Sequence, residues 1–252
     1  MRILLLNPNT TEAVTERMLR AGRAVAAPGT EVVPVTASRG VPYIATRAEA
    51  QIGGAVALEM LAEHHARVDA AIIAAFGDPG LFGARELFDI PVVGMAEAAM
   101  LTACMLGRRF GIVTFARALG PWYSECVAMH QLEARCSGIR MLDGPFRDIS
   151  DVQEEKEALL VELCNLAIAE DGAEVLILAG APLAGLAGVI KDRIRVPVVD
   201  QVGAAVKQAE TLVALQPRKA AAGSFRRPDP KPTIGLSPAL ARRIEGQDPP
   251  AT

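Results

Sequence analysis

The sequence predicts an α/β protein built as two similar subdomains, each a parallel sheet flanked by helices. Three observations lead there. Short apolar runs bounded by glycine, proline or polar turn residues alternate with longer amphipathic stretches, the pattern of strands alternating with helices. The apolar runs are continuous, as in strands covered on both faces. The pattern also repeats: residues 75 and 180, 91 and 197, and 7 and 114 hold matching places, at offsets of 105, 106 and 107. So constant an offset marks two copies of one unit, at 1–106 and 107–215, with the last elements of one half expected to cross onto the other.

In chain order, residues 3–6 read as a strand and lead into NPNTTE at 7–12, where Asn9 and Glu12 have capping-box spacing. Val14, Met18, Ala21 and Val25 then fall on one helical face. Residues 31–35 read as a second strand, and a loop over 36–46 leads to a helix over 47–65. The stretch DAAIIAAFGDPGLFG at 69–83 organises this half. Residues 70–75 are its strand, Asp78 its predicted N-cap and Pro79 the first residue of a helix ending near 88. A strand at 92–93 and a helix over 95–106 follow. The second half retraces the route with strands at 110–114, 173–179 and 198–199, and a helix over 121–134. From 216 to 252 the chain holds seven of its 17 prolines and seven Lys or Arg against three acids, which predicts an extended tail, mobile or laid over a neighbouring subunit. Ile234, Leu236 and Leu240 give that tail something to dock.

Composition excludes several function classes. With 252 residues, 51% of them hydrophobic and 22% charged, the chain supports a sizeable globular core. A net charge of -3 and 4% aromatics supply neither the basic patch nor the stacking platform of a nucleic-acid binder. The apolar start at 3–6 is too short for a signal-peptide core and no run is long enough to span a bilayer, so the expected location is cytoplasmic. Cys104, Cys126, Cys136 and Cys164 form no CxxC pair and, with three scattered histidines, no metal-ligand spacing. Free thiols and no metal are expected.

Chemistry belongs at the carboxyl ends of the strands, where open α/β sheets bind ligands. Two loops meet that condition best: Ala75, Phe76, Gly77 and Asp78 in the first half, and Gly180, Ala181 and Pro182 in the second. Each ends an apolar strand and opens a helix, so each offers backbone N–H groups to an anion or a developing enolate.

The stretches NPNTTEAVTERM at 7–18, AFGDPGL at 75–81, DIPVVGMAEAAM at 89–100, CMLGRRFGIVT at 104–114 and DGAEVLILAGAPLAGLA at 171–187 resemble the aspartate/glutamate/hydantoin racemase superfamily, and within it the hydantoin and allantoin racemase branch. The resemblance implies two pseudo-twofold-related subdomains with the active site between them, no metal or organic cofactor, and a homo-oligomer acting on a small cyclic ureide or an amino-acid-derived carboxylate. It also implies a mechanism in which a thiolate on one face of the substrate removes a proton and a thiol on the other returns one. This sequence departs there. The two cysteine positions are Ala75 and Gly180, neither of which exchanges a proton.

Other groups then become candidates. Glu97, in the first turn of the 95–106 helix, Asp78 and Asp200 are the carboxylates near strand ends, each equally explained as a helix-terminus residue. Tyr43 and Arg47 are candidates to orient a carboxylate or ring carbonyl, and Asn7, Asn9 and Thr114 to hydrogen-bond a polar ligand. His64, His65 and His130 read as surface residues, Cys136 as part of a turn, and the other cysteines as helical. An enzyme working through an enolate or oxyanion, a one-base or water-using lyase or hydrolase, and a binder that has lost turnover all remain open.

Overall fold

The computed structural model describes residues 1–144 and 147–247. Strands β1 (Arg2–Asn7), β2 (Glu31–Thr36), β3 (Ala70–Ile73) and β4 (Val92–Gly94) form one parallel sheet in the order β2-β1-β3-β4. Strands β5 (Phe110–Thr114), β6 (Cys136–Met141), β7 (Val175–Ala179) and β8 (Val198–Asp200) form a second in the order β6-β5-β7-β8. The two orders are the same, which is the structural form of the sequence repeat. In register, Leu6 lies beside Ile73 and Thr114 beside Ala179, so the strand ends that carry the key loops sit side by side in each sheet.

Helices α1 (Glu12–Val25), α2 (Arg47–His64), α3 (Leu81–Leu87) and α4 (Met95–Leu106) follow the first four strands; α5 (Gly120–Met129), α6 (Val152–Asp171), α7 (Leu186–Ile190) and α8 (Gln201–Leu215) follow the second four. The helix after each fourth strand crosses over: α4 packs on β7 and β8, and α8 on β3, α1 and α4. Ile3, Leu4, Leu5 and Leu6 of β1 are fully buried, each contributing about 1.5–3 kcal/mol relative to exposure. No described helix is long and apolar enough to cross a membrane.

Several local expectations change. Asp78 does not cap its own helix: Gly80 is the N-cap of α3, and Asp78 (φ 51°) turns its carboxylate to the first residues of α4 instead. Thr11, not Asn9, is the N-cap of α1, while a capping box forms unforeseen at Thr46 and Glu49. Cys136 starts the edge strand β6; with Gly138 and Arg140 inside it, CSGIRM carries no apolar run to announce a strand. The 216–252 tail also contains a helix, α9 (Pro238–Ile244), packed on α2 of its own chain. Leu240 is buried there, while Ile234 stays almost fully exposed.

Candidate functional site

Ala75 and Gly180, the two positions opposed across the repeat, line one cavity. The first half contributes Asn9 after β1, Tyr43 and Ile44 before α2, and Phe76 after β3; the second contributes Phe115 after β5, Trp122 and Tyr123 at the start of α5, and Ala181 and Pro182 after β7. Ala75 and Phe76 therefore face the loop at 180–182 across a single cleft, while Gly77 and Asp78 turn away from it. Its free volume is about 30 Å³, enough for one or two waters. Phe76, Phe115, Trp122, Tyr43 and Tyr123 take up much of its wall.

Gly180 is more than an absent side chain. Its φ is +111°, and a Cβ built there would lie 2.6 Å from the Phe115 ring and 3.4 Å from the Tyr123 hydroxyl. Its peptide is gripped at both ends by the buried Gln201: the Gly180 N–H donates to Gln201 Oε1 at 3.0 Å, and Gln201 Nε2 donates back to the Gly180 carbonyl. That N–H, expected to be open to a ligand, is thus already used. Gly77 plays a different part: a Cβ there would run into the Trp122 indole, so glycine lets that ring lie flat over the loop.

Asn9, Tyr43 and Tyr123 bring polar side chains to the cavity wall. Asn9 Oδ1 accepts from Asn7 Nδ2 at 3.0 Å and from the Thr11 N–H at 3.0 Å, which leaves the Asn9 Nδ2 hydrogens for a ligand. Tyr123 packs at a tilt against Phe76, ring centroids 4.8 Å apart, and its hydroxyl lies 3.4 Å from where a Cβ on Gly180 would be. The Thr114 hydroxyl, at the end of β5, donates to the Ala179 carbonyl at 2.8 Å. Burial pushes the Tyr123 phenol above its ordinary range, so it stays neutral.

Of the residues singled out in sequence, Asn9, Tyr43, Ala75, Phe76, Gly180, Ala181 and Pro182 line the cavity. The others are placed elsewhere. Asn7 is fully buried, its amide spent on Asn9 and on Thr15 Oγ1 at 2.9 Å, and Thr114 is fully buried with its hydroxyl on the Ala179 carbonyl. Arg47 is exposed and ion-paired with Glu125 at 2.5 Å. Asp200 caps α8 through the N–H groups of Val202 and Gly203 and reaches back to the Gly185 N–H at 2.6 Å; burial raises its pKa against those three bonds. Phe115, Trp122 and Tyr123 were not foreseen, although the chain's one tryptophan beside a tyrosine at a helix start was a legible signal.

Asp78 and Glu97 lie across Trp122 in a separate cluster. The buried Asp78 accepts from the Ala96 and Glu97 N–H groups, both at 2.8 Å, and from His130 Nε2 at 3.1 Å. Burial raises the Asp78 pKa, and these contacts oppose the rise, His130 most strongly. Glu97 is ion-paired with Arg85 and faces His130 Nδ1 at 3.5 Å. His130, read from sequence as a surface residue, is almost wholly enclosed. Cys126 is buried against the same group, its thiol pushed well up by burial and then by the charges of Asp78 and Glu97. Gly77, Asp78, Trp122 and Cys126 also line a second cavity, of about 540 Å³.

Comparison with known proteins places this architecture. The Asp/Glu/Hydantoin racemase family model matches residues 3–209. Hydantoin racemase of Paenarthrobacter aurescens is 36% identical over 240 residues, covering 92% of this chain and 99% of that protein. Allantoin racemase from Klebsiella pneumoniae superposes with a TM-score of 0.89 at 37% identity, covering 95% and 98% of the two chains. Arylmalonate decarboxylase, at 15% identity and a TM-score of 0.60, shares the fold alone. A family model spanning both sheets, and relatives alike in sequence along nearly the whole chain, make this protein a member of the Asp/Glu/hydantoin racemase family.

Proposed function

We propose that the protein is an isomerase-family enzyme for a small, uncharged cyclic ureide of the hydantoin class, and that it moves the proton at the ring's stereogenic carbon without the two-thiol relay. The carrying observation is that the polar side chains on the cavity wall, Asn9, Tyr43 and Tyr123, are all neutral and set among apolar ones, with the Asn9 amide hydrogens free to donate. A ureide presents the matching acceptor and donor in its C=O and N–H. No Lys, Arg or His lines the cavity among the described residues, which favours a neutral ring over a free carboxylate. The hydantoin and allantoin racemases among its relatives support the same ligand class.

In this reading the Asn9 amide donates to the ring carbonyl and stabilises the enolate oxygen, while Tyr123 accepts from the ring N–H. The carbon-bound proton passes to water, and a proton from water returns to either face. Ligand entry requires the Trp122 and Leu119 side of the cavity to open, since the present volume is about a tenth of an ordinary ligand pocket.

A second reading, a binder without turnover, is favoured by the lack of any thiol, carboxylate or imidazole among the described cavity residues. Proton NMR of a 5-substituted hydantoin in deuterated water separates the two, with Trp122 fluorescence reporting binding. Enzyme-dependent exchange at the ring carbon that falls roughly 100-fold in Asn9→Leu supports the isomerase. A saturable fluorescence change without exchange establishes the binder, and neither signal removes the ureide reading.

A further inference from the structure

The Asp78, Cys126 and His130 cluster is unused by that reading, and its chemistry is specific. One ligand atom from each residue lies within 4.8 Å of the other two. A carboxylate oxygen, a thiol sulfur and an imidazole nitrogen form the mixed donor set that suits zinc and not the oxygen-seeking calcium or magnesium ions. Two further features are those of a built site. His130 turns Nε2 toward Asp78 while Nδ1 faces Glu97, itself held by Arg85, the outer-shell arrangement that orients metal-binding imidazoles. Asp78 is fixed by two backbone N–H donors and retains lone pairs for a cation. A nucleophilic role for Cys126 fits less well, because both nitrogens of His130 face carboxylates and neither is left to serve as its base.

We propose that Asp78, Cys126 and His130 bind one divalent transition-metal ion, zinc by preference, with its fourth position open to the 540 Å³ cavity that Asp78 and Cys126 line. On binding, the Cys126 thiol releases its proton to solvent and His130 Nε2 exchanges its hydrogen bond to Asp78 for the ion. Three protein ligands and one open position make a site of catalytic rather than purely structural type. It is separated from the Ala75 and Gly180 cleft by Trp122, which borders both cavities. The site runs against the metal-free expectation carried by the family resemblance.

The test is cobalt titration of the chelator-stripped full chain. One equivalent is expected to give visible ligand-field bands and a near-ultraviolet sulfur-to-metal band. Cys126→Ser loses the sulfur band, Glu97→Gln weakens binding roughly 10–100-fold, and Cys164→Ser, a buried thiol elsewhere, changes neither. If Cys126→Ser does not fold, X-ray absorption of the zinc-loaded wild type decides the matter: one sulfur near 2.3 Å with nitrogen and oxygen near 2.0–2.2 Å supports the site. No stoichiometric uptake, or a bound ion without a sulfur ligand, overturns it.

Discussion

At Gly180 one residue's backbone decides what chemistry its position can carry. With φ at +111° and the Phe115 ring over its open face, Gly180→Cys is expected to cost about 1–3 kcal/mol in a thermal melt, even before the ring is displaced. Ala75→Cys, on an ordinary backbone at the cavity wall, is expected to stay within about 1 kcal/mol of wild type. Restoring both thiols therefore needs a smaller residue at Phe115 as well. Asp78→Ala strands the Ala96 and Glu97 N–H groups and His130 together, and is expected to destabilise the fold by about 3–5 kcal/mol in denaturant unfolding. The sequence made Ala75 and Gly180 legible because a motif surrounds each. It hid Tyr123 and His130, since helical spacing says which face a residue shares and nothing of what that face meets.

Among the elements, the strands were legible wherever they were buried on both sides: β1, β3, β5 and β7 are unbroken apolar runs. The edge strand β6 was not: the half-buried edge strand β2 still carries Val32, Val33 and Val35, whereas CSGIRM offers no such cluster of β-branched residues. The helix within the tail was not legible, and besides the buried Leu240 much of what holds the tail is polar. Lys219 donates to the Arg85 and Phe88 carbonyls, and Arg227 and Arg243 both reach Asp89, at 2.7 and 3.0 Å. Burial alone would raise the Asp89 pKa, but Arg243 and then Arg227 and Lys219 outweigh it and hold the carboxyl below its usual range. Its stabilisation is therefore present above the ordinary aspartate value and is lost as pH falls through the lowered one. Hydrogen exchange over 216–247 is expected to speed up below about pH 4. Asp89→Asn is expected to give the faster exchange already at neutral pH and to remove the acid step, with a loss near 1 kcal/mol because the pair is partly solvated.

For the whole molecule, the repeat in sequence became two sheets of one topology, and the expected crossing of the last elements is the exchange of α4 and α8 between them. Each half leaves an apolar surface for the other's helix: α4 lies on β7, and α8 on β3. A fragment of residues 1–106 is accordingly expected to show no cooperative thermal transition, and to gain one on mixing with residues 107–247. Independent folding of either fragment would refute the dependence.

The grip of Gln201 on the Gly180 peptide joins these scales. Gln201 is the first residue of α8, the helix that rides on the opposite sheet. The same helix therefore touches the first sheet along its length and the second cleft loop at its first residue. The second wall of the cleft is thus tied, through one side chain, to a helix that packs on the sheet of the first wall.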